Sequence, residues 1–186
     1  MDKYKVKWTR LQQEIFRLFC IKAGQTLTLR EIARILKVSP TAVSNSMGVL
    51  EKGEFLKIKK SKPFNLFSVE LNRENRKVIE LKQIENLRMV YDSGLHDFLF
   101  NEFPGCAIVL FGSYSKGEDV NLNKENCSDV DIAIIGAGNK KIDMSKFGKL
   151  LEREIILNFY KSWKEIHKYL KNNILGGIVL SGEVEL

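Results

Sequence analysis

The sequence predicts a mixed α/β (α+β) fold in two modules, a helical one closed by a hairpin and a second built on a small mixed sheet flanked by helices. Three observations predict it. Residues 1–78 hold 17 Lys/Arg against 7 Asp/Glu, a balance of +10, whereas residues 79–186 hold 13 against 16, a balance of −3. Apolar residues recur at helical spacing as far as residue 50 and then alternate, as in strands, to residue 71. Farther on, residues 106–111 form a continuous apolar run, the mark of a strand covered on both faces. The expected boundaries are 1–72 for the first module, 73–94 for a helical linker and 95–186 for the second.

Composition narrows the class. The chain has 186 residues, 44% hydrophobic and 28% charged, with a net charge of +7, as in ordinary soluble globular proteins. No apolar stretch approaches the roughly 20 residues of a membrane span, and the first residues lack the apolar core of a secretion signal. Three widely spaced cysteines, Cys20, Cys106 and Cys127, argue for thiols in a reducing compartment rather than a disulfide framework. The expected location is therefore cytoplasmic, with no membrane partner. His96 and His167 sit in helical patterns and read as surface or packing residues. The basic first half implies contact with a polyanion.

In the first module, a helix is expected over residues 11–22. Thr9 caps it, Gln12 completes a capping box, and Leu11, Ile15, Leu18 and Phe19 form its apolar face. Thr28 and Glu31 form a second capping box before a short helix through Ile32, Ala33, Ile35 and Leu36. Ser39 caps a third helix. Pro40 takes its first position, where a missing N–H costs nothing, and Val43, Met47 and Leu50 point inward. Two helices around a tight turn form a helix-turn-helix pattern, with Thr41, Ser44, Asn45 and Ser46 facing a major groove. Residues 55–60 and 64–71 alternate as two strands around a basic turn. The module resembles winged-helix transcription regulators. That resemblance implies DNA contacts from Thr41, Ser44 and Asn45 and from the hairpin lysines Lys57, Lys59, Lys60 and Lys62. Such modules act in pairs, so a homodimer on double-stranded DNA is expected, with the long helical pattern of residues 73–101 able to supply a dimer surface.

The second module carries the chemistry. After the run at 106–111 comes Gly112-Ser113, with Lys116 on the next turn. After a spacer of fifteen residues between Ser113 and Asp129, Asp129-Val130-Asp131-Ile132 opens another strand. Gly112 permits a sharp turn and close approach to a phosphate. Asp129 and Asp131, two apart, share one strand face. Adjacent carboxylates repel unless a cation lies between them, and hard oxygen ligands suit Mg²⁺ bound to phosphates.

These residues resemble the DNA polymerase β-type nucleotidyltransferase superfamily, and most closely its minimal nucleotidyltransferases. The resemblance implies that Gly112, Ser113 and Lys116 contact a nucleoside triphosphate and that Asp129 and Asp131 bind divalent metal. Its relatives carry a shorter spacer, of about ten residues, and a third carboxylate on the following strand. Here the next strand is expected at residues 154–160. Alternation puts Glu154, Ile156 and Asn158 on one face, with Asn158 where an acid would be expected, so the catalytic acid is Glu154 or is missing. The resemblance further implies a HEPN-type toxin as a partner, modified by the domain acting as antitoxin. Two rivals remain: a domain that binds nucleotide without turnover, and an inactive one serving a winged-helix transcription factor only as a sensor or dimerisation module. Past residue 160, an amphipathic helix near residues 163–170 and a short strand or tail near 176–182 are expected.

Overall fold

The computed structural model describes residues 8–61, 66–123 and 126–183. The chain divides into two compact units, Met1–Val78 and Ile79–Leu186. The division falls inside a helix, α4 (Arg76–Asp92). The segment expected to be a linker therefore belongs largely to the second unit, where Lys82, Asn86 and Val90 are buried.

The first unit is a winged helix. Its helices are α1 (Arg10–Ile21), α2 (Leu29–Leu36) and α3 (Pro40–Lys52), and its strands are β1 (Leu27–Thr28), β2 (Leu56–Ser61) and β3 (Leu66–Leu71), ordered β1-β3-β2 and antiparallel. Both capping boxes form. The Thr9 hydroxyl accepts from Gln12 N and the Gln12 side chain accepts from Thr9 N; Thr28 and Glu31 repeat the exchange. Ser39 caps α3 by accepting from Ala42 N, with Pro40 in the first turn. Ile15, Phe16, Phe19, Ile32, Val43 and Leu50 make the core. Ile35, on α2, is 41% exposed. Strand β1 was not expected: two residues long, it becomes a strand only by pairing Leu27 with Val69 and Thr28 with Ser68.

The second unit is a four-stranded mixed sheet, ordered β6-β5-β4-β7, with β4 (Ala107–Phe111), β5 (Val130–Ile135), β6 (Ile155–Tyr160) and β7 (Ile178–Ser181). Strand β5 runs antiparallel to β4 and parallel to β6. One face packs Ile108, Leu110, Val130, Ile132 and Ile134 against α5 (Leu95–Glu102) and α7 (Ser145–Leu151). The other packs Ala107, Val109, Phe111, Ala133 and Ile135 under Trp163, Ile166 and Ile174. All five residues of β4 are buried, which explains their unbroken apolar run. Gly94, at φ +75°, ends the long helical pattern by separating α4 from α5. The helix expected near residues 163–170 is a 3-10 turn, Trp163–Glu165, followed by α8 (Lys168–Leu175). The tail expected near residues 176–182 is the edge strand β7. No described helix is long and apolar enough to cross a membrane, and the three cysteines are free thiols.

Candidate functional site

The site begins where β4 runs into the short helix α6 (Gly112–Lys116). Gly112 makes the corner at φ +76°, a left-handed backbone that side chains oppose. A Cβ on Gly112 would lie 2.6 Å from Asp131 Oδ2, so the carboxylate fills the space this glycine leaves. The register explains the meeting, because Phe111 pairs with Asp131 across the β4–β5 ladder. The acid opening the second strand thus faces the glycine corner closing the first. Ser113 is half-buried beside it, and Lys116 is exposed on the same helix.

The two carboxylates differ in setting. Asp129 is exposed, just ahead of β5, and Asp131 is half-buried within it. Partial burial, and after it the nearby Asp129 charge, hold the Asp131 carboxyl above its ordinary value. A divalent cation would relieve that tension.

The third acid does not arrive. The parallel β5–β6 register puts Ile156 beside Asp131 and Asn158 beside Ala133. The position next to Asp131 is therefore an isoleucine, and Asn158 is two pairs farther along the strand. Glu154 is exposed ahead of β6, and its backbone oxygen accepts from Val130 N at 2.8 Å. Among the described residues, no group of three or more His, Cys, Asp or Glu side chains gathers to hold a metal. Glu154 approaches Asp129 along the main chain without completing a three-acid cluster.

The spacer between corner and acids is anchored. Val120 N donates to Ser128 Oγ at 3.0 Å, Ser128 N donates to Val120 O at 2.9 Å, and Asn121 bridges Cys127, so the spacer is tied at Val120 and Asn121 to Cys127 and Ser128. Ahead of that loop, Asp119 is fully buried. Its Oδ1 accepts from Lys82 Nζ and from Asn86 Nδ2 at 2.7 Å, and its Oδ2 accepts from an Arg153 guanidinium nitrogen at 2.8 Å. Sequence reading passed over this cluster, since buried lysine, arginine and aspartate look like surface residues until packing removes them from water.

Residues 95–180 match the nucleotidyltransferase domain family. The nucleotidyltransferase match thus spans the glycine corner, both acids, β4, β5 and β6, and most of β7. No curated protein matches the chain. Among solved structures, the adhesin competence repressor of Streptococcus pyogenes is similar over 52% of this chain and 69% of its own, at 21% identity and TM-score 0.40. A zinc-responsive MarR family member of Lactococcus lactis covers 54% and 67%, at 22% identity and TM-score 0.41. A cysteine-to-serine mutant of that protein in complex with DNA covers 55% and 66%, at 23% identity and TM-score 0.41.

In the winged helix, Thr41, Ser44 and Asn45 are exposed on α3. Ser46 is not among them. It is buried, and its hydroxyl donates to Ala42 O at 2.9 Å, back-bonding within the helix. Sequence reading missed Val49, which is 48% exposed on the same helix. On the hairpin, Lys57 Nζ pairs with Glu74 at 2.6 Å and Lys59 Nζ with Glu70 at 3.1 Å. Two of the four hairpin lysines are thus offset by acids of the same unit. Lys60 lies in β2, where only its backbone is described, and Lys62 lies outside the described residues.

Proposed function

We propose that this protein is a DNA-binding regulator whose nucleotidyltransferase domain binds a nucleoside triphosphate with Mg²⁺. The observation that carries the nucleotide half is the Asp131 carboxylate against Gly112, which puts acid and phosphate corner within one ligand's reach. The donor set fits the ion: two neighbouring carboxylates, one reluctant to ionise, are hard oxygen ligands for Mg²⁺. Asp129 and Asp131 would hold it, and when bound it neutralises phosphate charge. Ser113 offers its N–H and hydroxyl to the outer phosphates. Lys116 adds positive charge on the same turn, and Gly112 leaves room for close approach.

Binding is favoured over transfer because Ile156 occupies the place beside Asp131. Transfer stays open as a second reading through Glu154, which heads the neighbouring strand. A HEPN-type toxin would then be an acceptor, with the domain acting as antitoxin. One experiment decides: incubate the full chain with Mg²⁺ and each labelled triphosphate, measuring thermal stabilisation and pyrophosphate release. Stabilisation without pyrophosphate supports binding, pyrophosphate supports transfer, and the absence of both leaves the domain as a sensor or dimerisation module.

The DNA half rests on the winged-helix architecture, the exposed polar face of α3 and the +10 balance of residues 1–78. A homodimer on paired half-sites would place two α3 helices in successive major grooves. Titration of duplex DNA at rising salt tests this. A log–log slope near zero would remove phosphate contacts from the account.

A further inference from the structure

Helix α4 lies ahead of the matched nucleotidyltransferase segment, yet it is built into the candidate site. Gln83 Nε2 donates to Ser115 O at 2.8 Å and Asn86 Nδ2 donates to Tyr114 O at 2.9 Å, so two α4 amides satisfy carbonyls at the end of α6. Gly117, at φ +74°, closes that helix, and a Cβ there would lie 2.4 Å from Ile79 O. The backbone following the glycine-serine corner therefore rests directly on α4.

The same α4 face grips the spacer. Lys82 and Asn86 both reach Asp119, which lies between the corner and the acid pair in sequence. Arg153 holds the other Asp119 oxygen from the residue preceding Glu154. Glu154 O in turn receives Val130 N, the amide between Asp129 and Asp131. One buried carboxylate thus ties three elements together: the helix supporting the corner, the connection leaving it, and the main-chain step that sets the acids.

Geometry of this kind governs how well two half-sites meet one ligand. We propose that Asp119, held by Lys82, Asn86 and Arg153, is a positioning residue that sets the Gly112–Ser113 corner against the Asp129–Asp131 pair and thereby sets affinity for a Mg²⁺-bound triphosphate. The proposal rests on the nucleotide-binding reading above. None of the four residues is assigned to contact the ligand. Their effect passes through backbone placement.

The test uses the full chain as wild type, as Asp119→Asn, which keeps size and removes charge, and as Asn86→Ala, a milder change that removes one donor. Circular dichroism fixes a temperature at which each protein is fully folded. Calorimetry there measures binding of Mg²⁺ with a non-hydrolysable ATP analogue, and of Mg²⁺ with AMP. A positioning role predicts that triphosphate affinity falls at least about tenfold, ~1.4 kcal/mol, in a folded variant. The preference for triphosphate over AMP should fall with it, because AMP does not span corner and acids. A purely structural role lowers the melting temperature and leaves that preference intact. Folded variants that bind the triphosphate within about twofold of a binding wild type overturn the positioning role alone. A wild type that binds no triphosphate overturns the nucleotide reading and the positioning role together.

Discussion

Replacing Gly112 by alanine should damage the candidate site from two directions at once. At φ +76° a side chain costs about 1–2 kcal/mol relative to glycine. The new Cβ would also stand 2.6 Å from Asp131 Oδ2, well inside contact distance, so the carboxylate must rotate away. Forcing that side chain about 30° off its rotamer costs a further ~0.5–1.5 kcal/mol. Together Gly112→Ala should cost roughly 2–3 kcal/mol against a domain stability of about 5–15 kcal/mol, leaving a folded but weakened unit. Urea unfolding followed by fluorescence of the buried Trp163, in a Trp8→Phe background, reports on the second unit alone. Gly48→Ala supplies the contrast. That glycine is in the middle of α3 with nothing within 4 Å of an added Cβ, so the substitution should stabilise the first unit by about 0.5–1 kcal/mol. A Gly112→Ala protein as stable as wild type would refute the packing of Asp131 on the corner. So would undiminished triphosphate binding.

Three more perturbations have expected outcomes. Because folding raises the Asp131 carboxyl above its ordinary value, the folded chain binds more protons than the unfolded one in the acid range just above that value. Stability then falls as pH rises through that window, and the cost is fully present at neutral pH. Asp131→Asn should accordingly be more stable than wild type at pH 7, with the gain shrinking towards pH 4; a gain independent of pH, seen in urea midpoints, contradicts this. Thr28→Ala removes one half of the capping box on α2 and should cost about 1 kcal/mol in urea unfolding of the first unit, with a loss near zero arguing against the cap. Glu70→Gln frees Lys59 from its ion pair, and should tighten DNA binding and steepen the log–log salt slope by about 1. An unchanged slope would mean that Lys59 touches no phosphate.

Much of this was legible in one dimension because the relevant physics is local. A capping box closes over three residues, and Thr9 with Gln12 and Thr28 with Glu31 form where the sequence places them. Pro40 starts α3 for a reason internal to one turn. Asp129 and Asp131 come near each other at the start of β5, as a spacing of two suggests, and the apolar run at β4 signals burial on both sides. Other features came into being only when distant segments met. The two-residue β1 has no periodicity to detect and exists through its pairing with β3. Whether Ile156 or Asn158 neighbours Asp131 depends on a register between strands some 25 residues apart, and the ladder assigns that place to Ile156. Ser46 turns inward with Val43 and Met47, although Ser44 and Asn45 do not, since the helix packs there and its hydroxyl finds Ala42 O. Lys82 and Asp119 are 37 residues apart, and Asp119 and Arg153 are 34 apart. Charged side chains prefer water unless paired, so composition assigns all three to the surface; only the fold, by bringing them into mutual reach, makes their burial tolerable.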